Sequence, residues 1–240
     1  RVIGSIPRLV RRGRGLRRRR GAMTLTLDDA MGVLAGDAAE ADPAFKSGVA
    51  RVSTRLRNIG RTEVPQIVLF VSGARRVGTT FSAFSLAYAQ ALAGERTLLI
   101  DAASGDPTLS NQFAGDLRQD HPCVLDSKEH LAELTSRDAQ SGLAFLPIAL
   151  ADLRTLTMNQ RNRLAQGLGK LAMDYDVVLI DGGSIEDDEA IASLVPIASQ
   201  VVLVAADGAL DPARARDVVD VLQVAPERMA GVLLSMSEPA

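Results

Sequence analysis

Six short apolar runs decide what this chain can fold into. They read "QIVLFV" at Gln66, "TLLI" at Thr97, "LAFLP" at Leu143, "DVVLI" at Asp176, "QVVLVA" at Gln200 and "AGVLLS" at Ala230. Each is continuous rather than alternating, which is the pattern of strands buried on both faces of a parallel sheet. The segments between them carry helical spacing. Phe81, Phe84, Tyr88 and Leu92 form one such series, and Leu164, Leu168 and Leu171 another. In "DPARARDVVDVL" Asp211 is placed to cap a helix and Pro212 to open it. Strand and helix in alternation demand right-handed crossovers, so the predicted fold class is α/β, a doubly wound and mostly parallel sheet in a three-layer sandwich. Ligands of such sheets sit at the carboxyl ends of the strands.

Between the first run and the helical series that starts at Phe81 stands "SGARRVGTTF", Ser72 to Phe81. Gly73 and Gly78 have the spacing of the phosphate-binding loop G-x-x-x-x-G-K-S/T, and Thr80 stands where a hydroxyl ligand of magnesium belongs. Thr79 fills the position of the lysine that would reach the terminal phosphates. Backbone N–H groups and the helix dipole at such a turn favour an anion. Asp101 ends "TLLI" and Asp181 ends "DVVLI", so two carboxylates fall at strand tips beside the glycine loop, the parts of a Mg-nucleotide site. Together they predict a P-loop NTPase-like fold.

Charge divides the chain. Residues 1–22 hold nine arginines and no acid, leaving 18 basic against 29 acidic residues in the rest. The densest part, "RRGRGLRRRR" from Arg11 to Arg20, suits nucleic-acid phosphates or an anionic membrane surface, with a solvated tail as the plain alternative. The expected organisation is therefore a basic tail over 1–22, an adaptor over 23–62 with one helix near Phe45 to Ile59, and the P-loop domain over 63–240. The chain opens on Arg1, and Met23 reads as an alternative start. With aromatics at 3% and hydrophobic residues at 47%, the core must be aliphatic. The lone Cys123, with no secretory signal, favours a reducing cytoplasm. No apolar run has the length to span a bilayer. His121 and His130 support no metal cluster.

"QIVLFVSGARRVGTTFSAFSLAYAQA", "TLLIDAASGDPTLSNQF", "DYDVVLIDGG" and "MAGVLLSM" resemble, in order and spacing, the Walker A, A-prime, Walker B and base-contacting strands of the bacterial tyrosine kinases. Those are cytoplasmic P-loop proteins related to the MinD and ParA ATPases, and they work with membrane copolymerases in capsule and exopolysaccharide synthesis. "RVIGSIPRL" is similar to the segment that joins the copolymerase membrane region to its kinase domain. The resemblance implies ATP and magnesium as cofactors, held by Gly73, Arg75, Arg76, Gly78, Thr79, Thr80 and Ser235, with Thr80, Asp101 and Asp181 around the metal and Asp101 and Asp181 as catalytic carboxylates. It implies a polysaccharide copolymerase or another membrane polysaccharide-assembly protein as partner, and a place at the inner face of the membrane.

Several positions depart from that family. Thr79 replaces the lysine, and Arg76 a glycine that lets backbone approach phosphate. Ala103 stands for the second carboxylate of the A-prime motif, Gly182 and Gly183 for the Thr-Pro-Pro after Walker B, and Ser235 for an adenine-contacting Asn. No tyrosine follows Tyr175, so the usual tyrosine cluster is missing. The ring-forming Glu-x-x-Arg-x-x-Arg pattern aligns with Arg51, Thr54 and Arg57, which agrees only at the last position; a homo-oligomer through other contacts stays open. The departures favour a vestigial site in a non-catalytic regulator or scaffold of surface-polysaccharide synthesis. The alternatives are an active ATP-dependent tyrosine autokinase or ATPase, with Arg75 or Arg76 in place of the lysine, and a MinD- or ParA-like positioning ATPase. Ala74 argues against the last, because its relatives carry a second lysine there. A nucleic-acid partner belongs to that least favoured reading.

Overall fold

All six apolar runs form strands in the computed structural model, which describes residues 2–7, 27–36, 43–59, 65–103, 105, 107–113, 127–148, 153–186, 189–208 and 211–235. In chain order these residues give β1 (Val2–Ile6), α1 (Leu27–Ala35), α2 (Pro43–Ile59), β2 (Gln66–Ser72), α3 (Thr79–Leu92), β3 (Thr97–Asp101), α4 (Thr108–Phe113) and α5 (Lys128–Glu133). They continue with β4 (Ser136–Arg137), β5 (Ala144–Pro147), α6 (Met158–Ala172), β6 (Val177–Ser184), β7 (Gln200–Ala206), α7 (Pro212–Leu222) and β8 (Met229–Ser235). One sheet holds the strands in the order β1-β8-β7-β2-β6-β3-β5-β4. Every pairing is parallel except β4 on β5.

The sheet is buried on both faces, as the continuous runs require. In β2, Ile67, Leu69 and Val71 enter the core that contains residues of α5, α6 and α7, while Val68 and Phe70 enter the core built with α1, α2 and α3. The expected helices are capped as their sequences dictate. Asp211 accepts from Ala213 N at 2.8 Å ahead of Pro212, and Thr157 with Gln160 forms a capping box at α6. At the amino edge of the sheet Arg96 Nη2 donates to Asp176 Oδ1 at 2.6 Å, tying the start of β3 to that of β6. That hydrogen bond holds the Asp176 carboxyl below its ordinary range.

Two segments differ from their sequence reading. The stretch read as an adaptor with one helix holds two, α1 as well as α2, because Leu27, Ala30 and Val33 of α1 are buried in the core with α3. Val2–Ile6 lies within the stretch read as a basic tail, yet it forms the edge strand β1, parallel to β8 with Ile6 beside Ser235. The cause is apolar burial. Ile3 and Ile6 are buried in the core with Val49 and Val52 of α2, Pro7 rests on Gly48, and Arg55 Nη1 donates to Ile3 O at 2.8 Å. The arginine-dense stretch at 11–20 and both expected domain boundaries lie outside the described residues. The expected adaptor helix is α2, and it packs against β1 and α3. Of the ring-pattern positions on it, Arg51 and Thr54 are exposed and Arg57 pairs with Glu95 of the same chain.

Candidate functional site

The central strand β2 carries the glycine loop at its carboxyl end, between β7 and β6. Ser72, its last residue, is buried and donates through Oγ to Ala74 O at 2.9 Å and to Gly183 O at 3.1 Å. The hydroxyl thus clasps the loop to the end of β6, and Ile185 N donates to Ser72 O at 3.0 Å to complete the link. Gly73 lies against Val218 and Arg214 of α7. Arg75 and Arg76 are exposed at the tip. Arg76 takes φ 59°, a left-handed conformation that costs a side-chain-bearing residue about 1–2 kcal/mol.

Gly78 precedes α3 as its N-cap at φ 86°. A side chain there would be strained by that angle and would also collide with Ser235 Oγ, so this glycine is required twice. Ser235 therefore closes the loop from the β8 side. Thr79 is buried, 6% exposed, in the first turn of α3, and Thr80 beside it is half-buried.

Asp101 and Asp181 are register partners on β3 and β6, and both side chains are fully buried. Their surroundings differ. Asp181 Oδ1 accepts from Gly183 N at 3.1 Å. Asp101 Oδ1 accepts from Ala103 N at 3.1 Å, and its Oδ2 accepts from both Ser110 N and Ser110 Oγ at 2.7 Å. Ala103 faces Gly183, where a Cβ would stand 3.0 Å from Ala103 Cβ. Gly183 is left-handed at φ 64°, so the small pair closes the two loops against each other. A second carboxylate in place of Ala103 would press into this contact.

The structure thus brings Gly73, Gly78, Thr79, Thr80 and Ser235 into one loop site and pairs Asp101 with Asp181 beside it. Its backbone fits an anion: a loop turned by left-handed residues opens a helix of 14 residues. Of the side chains that the motif gives to a magnesium-nucleotide, Thr80 and Asp181 are in place. Thr79 offers no cation, and both oxygens of Asp101 already serve the chain's own donors. Ser72 and Ser110 were not singled out by sequence reasoning. Ser72 sits next to Gly73 and could have been flagged; Ser110, nine residues after Asp101, has no local signal.

A glycine loop between the central strand and a helix, with paired buried carboxylates on the neighbouring strands, defines a P-loop NTPase-like domain. The sequence profile of the family described as cellulose biosynthesis protein BcsQ matches residues 67–213, more than half of the chain. The chain belongs to that family. No curated protein sequence matches it. Among solved structures it is similar to the kinase domain of Escherichia coli tyrosine kinase ETK, with a TM-score of 0.70 and 19% identity over 100% of this chain and 93% of that one. It is also similar to the VpsO kinase domain, with a TM-score of 0.63 and 23% identity over 79% of this chain and 94% of that one. A third is the cobyrinic acid a,c-diamide synthase of Mycobacterium smegmatis with bound ATP analog and magnesium, at a TM-score of 0.55, 21% identity, 72% of this chain and 75% of that one. At these identities the likeness is one of fold.

Proposed function

We propose that this chain is a non-catalytic P-loop protein that serves the synthesis and export of a surface polysaccharide as a regulator or scaffold. Membership in a cellulose-biosynthesis family supports the pathway. The observation that carries the non-catalytic reading is the phosphate loop itself, which keeps its turn and its helix but has Thr79 where the charge should be. Loss of a charge-assisted donor of that kind costs about 1.5–3 kcal/mol, or tenfold and more in affinity. Neither tyrosine of this sequence is placed to accept a phosphoryl group. Its two tyrosines, Tyr88 and Tyr175, are 1% and 7% exposed, and Tyr88 stacks against Phe84 inside the core.

The partner on this reading is a membrane protein of polysaccharide assembly. The arginines between Arg11 and Arg20 hold the chain at the anionic inner face of the membrane, where each basic residue contributes about 1 kcal/mol. Among the described residues no helix is long and apolar enough to cross a membrane.

The test is complementation. A strain lacking the protein should regain polymer output when given the unmodified chain, and equally when given Asp181→Asn, because the carboxylate does no chemistry. Loss of output with Asp181→Asn at unchanged protein level would overturn the non-catalytic reading.

A further inference from the structure

Asp101 stands where P-loop relatives place a carboxylate for magnesium, but the surrounding structure gives it another task. We infer that Ser110 is a positioning residue that withholds the Asp101 carboxylate from a divalent cation. Two buried carboxylates on adjacent strands need compensation, either by a cation or by donors. Here Asp101 receives donors. Ser110 supplies two of them through its N and Oγ at 2.7 Å, and Ala103 N the third at 3.1 Å.

Ser110 is held in that role by the packing of α4. Leu109 is fully buried, and Phe113 stacks on Phe84 with ring centroids 5.5 Å apart and meets Phe145 edge-on at 5.8 Å. The helix cannot slide away from Asp101 without breaking both ring contacts. A divalent cation would therefore have to strip the hydroxyl from the carboxylate and unseat α4. Ala103, packed on Gly183, offers no substitute oxygen.

This inference rests on the non-catalytic reading above, but the two fail separately. Complementation by Asp181→Asn tests that reading, whereas the cation is tested by Mn2+ titration of the full chain followed by electron paramagnetic resonance. The unmodified chain and Ser110→Thr are expected to bind Mn2+ weakly. Ser110→Ala is expected to bind it at least tenfold more tightly, and Ser110→Ala with Asp101→Asn to lose that gain. A purely structural serine would lower the melting temperature in Ser110→Ala without moving the Mn2+ titration. Equal Mn2+ affinity in the unmodified chain and Ser110→Ala would overturn the inference. So would tight binding by the unmodified chain that Asp101→Asn removes.

Discussion

Arg76 occupies a left-handed backbone position at the tip of the glycine loop. At φ 59° its backbone holds a turn that glycine adopts without steric cost. The substitution Arg76→Gly relieves about 1 kcal/mol of that strain, partly offset by the greater freedom of glycine in the unfolded chain. Its melting temperature is therefore expected to stay level or rise. Thr79→Lys restores the missing charge, but in a loop still crowned by Arg76. A fluorescent ATP analogue is expected to bind Arg76→Gly with Thr79→Lys more tightly than the two single changes would give by addition, as residues sharing one site do not act independently. Strict additivity would mean that Arg76 does not obstruct the phosphate path. The loop and the two strand-end carboxylates were legible in the sequence because each has a fixed spacing from a buried strand. The Ser110 contact was not, since it depends on how α4 docks rather than on a local pattern.

The elements that sequence reading recovered are those marked by a continuous apolar run or by helical spacing: β2, β3, β5, β6, β7 and β8 among the strands, and α2, α3, α6 and α7 among the helices. Those it did not name are β1, β4, α1, α4 and α5. β1 is five residues containing Gly4, set before an arginine run that made the whole stretch read as tail, and its burial arises from α2, more than forty residues away. Removing residues 1–22 to test membrane attachment would therefore also strip the edge strand. Changing Arg11, Arg12, Arg14, Arg17, Arg18, Arg19 and Arg20 to Gln separates the two effects. That variant is expected to lose binding to anionic vesicles at low salt with its melting temperature unchanged. Ile3→Ala is expected to do the reverse, costing about 2–3 kcal/mol of stability with vesicle binding intact. Vesicle binding that survives the loss of all seven charges would remove the tail from the membrane.

At the scale of the whole molecule, a mostly parallel sheet carries the glycine loop at the carboxyl ends of its strands, and several groups at that edge contact the chain's own loops. Ser72 clasps the loop to β6, Ser235 abuts Gly78, Ala103 packs on Gly183, and Asp101 holds α4. These contacts tie the loops at the edge of the sheet to one another. The fold alone would equally serve an ATPase, so the distinction lies wholly in the site. It is tested most directly by titrating the unmodified full chain with a fluorescent ATP analogue, with and without magnesium. Weak binding that magnesium does not strengthen is expected. Micromolar affinity that depends on magnesium would contradict the account.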